Sequence, residues 1–289
     1  MSDPLSGFLA ALDLTDTGAR TSEDIFTGPS LWQPHGRVFG GQVLAQSLVA
    51  AQRTSPDGRV VHSMHAYFLR PGQVDLPITF SVDRIHDGRS FSTRRTQAYQ
   101  EGLPILSMIA SFQDEDEGLE HQVDMPVGIP DPESLPSAAE HLGEIDHAVA
   151  RFWATERPFD MRHVPSPVYL SVEGDRVAHQ AVWLKAVGPL PDDDNLHRAA
   201  LAYASDYSIL EPILRRHGIP WAMPGLKAAS LDHAMWWHRP GRVDEWLLYV
   251  QESPNAIGGR GLSLGRIYRR DGVLLGSVAQ EGMVRVPSA

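Results

Sequence analysis

Residues Gly261 to Gly265, GLSLG, carry the Gly-x-Ser-x-Gly spacing of a serine nucleophile elbow. An elbow needs a sharp strand-to-helix turn that lifts the serine, then an acid and a histidine later in the chain. No histidine follows His238, so that order cannot be completed. The residues around Ser263 alternate as a strand does, and a strand is expected there. Two histidine pairs, His62 with His65 and His233 with His238, raise metal ligation or proton transfer. A metal would need further ligands at matching geometry. In a strand, odd spacing puts the members of each pair on opposite faces. Both pairs are therefore expected to be core or edge residues.

Composition removes other chemistries. The 289 residues include no cysteine, so a disulfide framework, a thiolate nucleophile and a cysteine-ligated metal are excluded. Net charge is −11, which argues against nucleic-acid binding, since phosphate neutralisation needs a clustered basic surface. A local patch for a small phosphorylated ligand is compatible with that total. Lys185 and Lys227 are the only lysines. Arginine thus supplies nearly all positive charge, and its fork of donors suits phosphate and carboxylate. No Walker-type glycine loop is present. The N-terminal MSDPLSGFLAALDL lacks the pattern of a signal peptide, and no run approaches the ~18–20 apolar residues of a membrane helix. The final VPSA is not a peroxisomal address. A soluble protein of the bacterial cytoplasm is expected.

The elements that must position any site come in a repeat. VHSMHAYFLRPG ends at Gly72, and SLDHAMWWHRPG ends at Gly241. Both are aromatic-rich runs closed by Arg-Pro-Gly. Downstream, GRSFSTRRTQAYQEGLPILSMIASFQ starts at Gly88 and GRGLSLGRIYRRDGVLLGSVAQEGMV at Gly259. Each has two alternating runs around a turn, Glu101-Gly102 or Asp271-Gly272, as a β-hairpin does. A helix with small residues is expected before the strands of each half. In the first half it runs from Val38 to Arg53. In the second it runs from Asp192 to Arg216, with three aspartates at its start. One helix per half can cover an antiparallel sheet, which gives an α+β fold of two tandem units. The expected boundaries are an N-terminal unit at 1–113, an acidic, proline-rich linker with a short helix at 114–160, and a C-terminal unit at 161–289.

The motifs FGGQVLAQSLVAA, VHSMHAYFLRPG, ASLDHAMWWHRP, DEWLLYVQESPNA, GRGLSLGRIYRRDGVLLGSVAQEG and YASDYSIL together resemble the TesB-type acyl-CoA thioesterase II family. The likeness runs from Gly28 to Arg285 and is weakest in the linker. It implies a double hot-dog fold, two fused units that each wrap an antiparallel sheet around a long helix. It also implies hydrolysis of acyl-CoA, without a cofactor. Carried over residue by residue, the implied active site is Asp206 in YASDYSIL, Ser230 in ASLDHAMWW and Gln280 in VAQEGMV. Relatives often hold Thr where this chain has Ser230. The hydroxyl is kept, while the rotamer restriction of a β-branched side chain is lost.

Thioester hydrolysis needs an activated water, a polarised carbonyl and a thiolate leaving group. An ionised Asp206 could take the proton of the water, with its basicity raised by burial. Ser230 and Gln280 could orient the carboxylate and the water. Backbone N–H groups, near a helix start or the Gln280 strand, could polarise the carbonyl. Aligning the Arg-Pro-Gly ends puts Val61 opposite Ser230, and aligning the hairpin turns puts Ala110 opposite Gln280. Both counterparts are apolar, so one active site per chain is expected, with the N-terminal unit serving packing and substrate enclosure.

Medium- to long-chain acyl-CoA is the expected substrate. Trp236, Trp237, Tyr67, Phe68, Trp221 and His65 could line an acyl tunnel, and Arg260 or Arg266 could meet the CoA phosphates. The alternatives are a catalytically silent acyl-CoA-binding protein and a hot-dog enoyl-CoA hydratase. The resemblance further implies a homodimer or homotetramer.

Overall fold

The computed structural model describes residues 3–20 and 22–287. The first unit opens with α1 (Pro4–Leu12), β1 (Thr15–Arg20) and β2 (Asp24–Gly28). The long helix α2 (Gly40–Gln52) follows, then β3 (Val60–Phe68), β4 (Ile78–Asp87), β5 (Phe91–Gln100) and β6 (Leu103–Gln113). Two short helices, α3 (Ala138–Leu142) and α4 (Ala148–Thr155), lie between the units. The second unit contains β7 (Phe159–His163), β8 (His179–Ala186), α5 (Asp194–Ser205), α6 (Glu211–His217), β9 (Lys227–Ser230), β10 (Asp232–Trp237), β11 (Leu247–Ile257), β12 (Arg260–Arg269) and β13 (Leu274–Arg285). Among the described residues no helix is long and apolar enough to cross a membrane.

Among the described residues one antiparallel sheet holds every strand, in the order β1-β2-β4-β5-β6-β3-β10-β13-β12-β11-β8-β7, with β9 added alongside β13. The halves meet where β3 pairs with β10. His65 and Ala234, equivalent in the sequence repeat, are direct partners there. The units are therefore related by a pseudo-twofold axis through that pair. The registers repeat too: Val61 opposes Phe112 in the first unit, and Ser230 opposes Gly282 in the second. The fold is the double hot-dog.

Helix α2 is buried on nearly every side, from Gly41 to Ala51. Its small residues let α5 come close: a Cβ on Gly41 would sit 2.3 Å from the backbone oxygen of Tyr203. Larger members such as Leu44 and Leu48 are fully buried, and truncating either to alanine would cost about 2–5 kcal/mol. The hairpin turns form as expected, with Glu101, Gly102 and Gly272 all at positive φ.

Two expectations need correction. The second helical run is not continuous: α5 ends at Ser205, and α6 starts at Glu211 with Pro212 in its first turn. Proline has no N–H to give to the preceding turn and its ring clashes there, so it sits at a helix start instead. The linker also does more than join the units. Met125, Ile129 and Leu135 pack on Trp183, Leu248, Tyr268 and Leu274, and the Trp183 indole N–H donates to the Pro130 carbonyl at 2.9 Å. This cover explains why β8 is buried on both faces. The linker helix is two helices, the first started by a Ser137–Glu140 capping box.

Residues 261–265 lie inside β12, with no strand-to-helix turn, and Ser263 is a buried strand residue opposite Gln280.

Candidate active site

Asp206, Ser230 and Gln280 come from three elements and meet at one point. Asp206 is the C-cap on which α5 ends, and a turn separates it from the start of α6 at Glu211. Ser230 closes β9, and Gln280 lies within β13. The Ser230 hydroxyl donates to Asp206 Oδ1 at 3.0 Å. The Gln280 amide donates one hydrogen to the same Oδ1 at 3.0 Å and the other to Ser230 Oγ at 2.8 Å.

That geometry fixes the amide orientation, because only the NH₂ end can face a carboxylate. Gln280 Oε1 therefore points away, and it meets Nδ1 of His233. Burial lowers the pKa of His233 to about 4, so the ring is neutral. Its one proton must lie on Nδ1, where Oε1 accepts it. Nε2 is then an acceptor, and the Ser205 hydroxyl lies 3.0 Å from it, its one hydrogen shared with the Ala202 carbonyl at 2.9 Å. The chain Ser205–His233–Gln280 thus holds the amide from behind. His233 was expected to be a plain core or edge residue. It is buried in the core, and it also orients Gln280. The repeat carried that signal, since the Arg-Pro-Gly alignment puts Met64 opposite His233.

The first unit contributes more than packing. The N-terminus of α2 has no side-chain cap, and its Gly41 N–H donates to the Asp206 carboxylate. The orphan donors and positive end of a helix favour an anion at that place. A Cβ on Gly40 would stand 2.6 Å from Asp206 Oδ2, so glycine is required for the carboxylate to approach. Burial raises the pKa of Asp206 to about 6, against the donors Gln280, Ser230 and Gly41, which pull it down. The raised value makes Asp206 a stronger base than a solvated aspartate while leaving it ionised at neutral pH.

Asp206 and Ser230 open on a cavity of about 460 Å³. Phe39, Val43, Phe68, Ile105, Leu210, Trp221 and Leu231 give it apolar walls, and α4 closes one side with Phe152 and Trp153. Phe68 and Trp221 thus stand where a tunnel lining was expected. Tyr67, His65 and Trp236 do not: they lie on the opposite, solvent-facing side of the sheet, where His65 meets Trp236 edge-on at 5.3 Å. Trp237 is a core residue. Arg260 and Arg266 are not at the cavity either; they pair with Glu281 and Glu252 at 3.1 and 3.0 Å. The arginines that line it are Arg37, Arg70 and Arg157. Behind the wall, the Trp221 indole N–H donates to Glu211 at 3.1 Å, and His163 and Gln180 also bond that buried carboxylate. Burial alone would raise the pKa of Glu211, but these partners outweigh it and lower it.

A family model described as Acyl-CoA thioesterase matches residues 152–283. A second, described as Acyl-CoA thioesterase N-terminal domain, matches residues 28–113. Acyl-CoA thioesterase 2 of Haemophilus influenzae is 37% identical over 99% of both chains. Human acyl-coenzyme A thioesterase 8 is 40% identical over 91% of this chain and 85% of its own. The crystal structure of an acyl-CoA thioesterase II from Mycobacterium marinum superposes with a TM-score of 0.78 at 40% identity, covering 97% of this chain and 99% of that one. On sequence and fold together, the chain belongs to the acyl-CoA thioesterase family.

Proposed function

We propose that the protein hydrolyses medium- to long-chain fatty acyl-CoA to the free acid and CoA, with Asp206 as the base that activates water. The observation that carries this reading is the convergence of Gln280, Ser230 and the Gly41 N–H on one carboxylate that faces an apolar cavity. Ser230 and Gln280 both occupy Oδ1 and keep the carboxylate in one orientation. The water is taken by its other oxygen. The water oxygen attacks the thioester carbon while its proton passes to Asp206. The C–S bond then breaks, CoA leaves as the thiolate, and the proton on Asp206 returns to it. Backbone N–H groups at the uncapped start of α2 supply positive potential for the carbonyl oxygen. A silent binding protein would have no use for a base held this way. A hydratase histidine would have to reach the substrate, whereas His233 is fully buried behind Gln280.

The test is release of free CoA from palmitoyl-CoA, followed with a thiol reagent, for wild type, Asp206→Asn, Gln280→Ala, Ser230→Ala and Ser230→Thr. Wild type and Ser230→Thr should turn over, and the other three should lose most of their rate. Equal rates for wild type, Asp206→Asn and Gln280→Ala would refute the assigned site. Binding without release by wild type would favour the silent reading.

Assembly as a homodimer or homotetramer fits the outer sheet face, where Tyr67, Ile109 and Trp236 are exposed. Light scattering should give a mass of two or four chains; a single-chain mass would contradict it.

A further inference from the structure

Arg157 lines the same cavity as Asp206. It is partly buried, and its guanidinium carbon lies 4.9 Å from the ring centroid of Trp153 and 4.7 Å from that of Tyr207. Tyr207 stacks in turn on Phe39, with centroids 4.7 Å apart and planes at 17°. The cation is thus pinned against the aromatic wall next to the catalytic centre. Rings engage a guanidinium through their π faces, which leaves its five N–H donors to be satisfied in its own plane. Those donors are poorly served. Nη1 has the thioether sulfur of Met161 at 3.7 Å, Tyr169 is the other acceptor at hand, and the buried Nε has no partner. Among the described residues Arg157 has no ion pair: neighbouring Asp160 pairs with Arg162, and Glu211 is held by His163, Gln180 and Trp221. Other buried arginines of this chain are well supplied, as Arg94 shows with Thr54, His86, Thr93 and Asp87. Partial burial of an uncompensated cation costs free energy unless an anion arrives.

We propose that Arg157 is a specificity-determining residue that binds an anionic oxygen group of the thioester substrate. The group is a carboxylate borne by the acyl chain or a phosphate of CoA. This rests on reading the cavity as the acyl-CoA site. A planar fork suits either anion, since both present two oxygens to two parallel N–H groups.

The test measures equilibrium binding in the Asp206→Asn background, where the thioester survives, so the result does not depend on turnover. Arg157 is compared with Arg157→Met and Arg157→Lys. The probes are dodecanoyl-CoA, dodecanedioyl-CoA and the N-acetylcysteamine thioesters of the same two acids, which lack phosphates. Arg157→Met should raise Kd about tenfold or more for thioesters that carry the recognised anion. It should leave neutral dodecanoyl-N-acetylcysteamine within about twofold, and Arg157→Lys should recover part of the loss. Loss confined to the dodecanedioyl thioesters identifies the acyl carboxylate. Loss shared by both CoA thioesters and absent from both N-acetylcysteamine thioesters identifies a phosphate. Equal weakening of all four, neutral probe included, would mean Arg157 only packs, and no weakening at all would equally overturn the proposal. Failure of the unmodified protein to release CoA would count against the hydrolase reading alone, because the binding comparison stands apart from it.

Discussion

His233 and Gln280 face each other across β10 and β13 at the register position held by Met64 and Ala110 across β3 and β6. Met64 opposes Ala110 directly, and His233 lies opposite Gln280 one step beyond the Ala234–Ala279 pair. The same place in two fused units is apolar in one and a hydrogen-bonded polar pair in the other. Hydrophobic and polar solutions of one packing problem thus coexist in one chain, and the polar one holds the amide that orients Asp206.

That relationship makes a double-mutant cycle informative. His233→Met leaves Gln280 Oε1 buried without a donor, which should cost about 1–3 kcal/mol. Gln280→Ala strands the His233 N–H in the same way. The double variant restores the pair of the first unit and should be more stable than the sum of the single losses, by about 1–2 kcal/mol. Urea unfolding reads the stabilities. Additive losses would show that the two side chains are not coupled. CoA release should fall in all three variants.

Gly40 and Gly41 should separate function from stability. In Gly40→Ala the new Cβ meets Asp206 Oδ2 and the Phe68 ring, so the carboxylate must shift. A displacement of about 1 Å can cost on the order of a hundredfold in rate, and kcat/KM should drop while the unfolding midpoint changes little. In Gly41→Ala the Cβ meets the backbone of Tyr203 and the Phe39 ring, and backbone cannot step aside. Overpacking of that kind costs about 1–3 kcal/mol or more, so the thermal midpoint should fall clearly. The opposite assignment of effects would refute the placement of the α2 start against Asp206.

The raised pKa of Asp206 sets two pH dependences. In its proposed role as base it must be ionised, so kcat/KM should rise with pH, bend near pH 6 and stay flat above. Stability runs the other way. A carboxyl whose folded pKa lies above its unfolded value near 3.8 stabilises fully below that value and loses the contribution as pH rises through about 6. The difference of about two units sets an upper bound of about 3 kcal/mol, reduced by solvent reaching the cavity. The thermal midpoint of Asp206→Asn, relative to wild type, should therefore climb between pH 4 and pH 7. A constant gap would mean that Asp206 titrates normally.

Much of this was legible in the residues. The Arg-Pro-Gly ends and the two hairpin turns gave the tandem units, because alternation and turn chemistry are local. Ser230 and Gln280 stood out as polar residues against Val61 and Ala110. Four features are not legible there. The break between α5 and α6 leaves Pro212 in the first turn of α6, a signal masked in the sequence by the apolar periodicity around it. The role of His233 depends on which strand lies beside β10, a long-range fact. The linker's cover of β8 comes from Met125, Ile129 and Leu135, isolated apolar residues without a period. The part played by Gly40 and Gly41 likewise required knowing that α2 starts against the end of α5.

In the proposed mechanism Asp206 acts on water rather than on the thioester. Single turnover of palmitoyl-CoA by excess enzyme in ¹⁸O-labelled water, with mass analysis of the fatty acid and of the peptide containing Asp206, tests it directly. Direct attack by water should place one ¹⁸O in the fatty acid carboxylate and none in Asp206. Label in Asp206, with unlabelled acid released, would reveal an acyl-aspartyl intermediate and contradict the account.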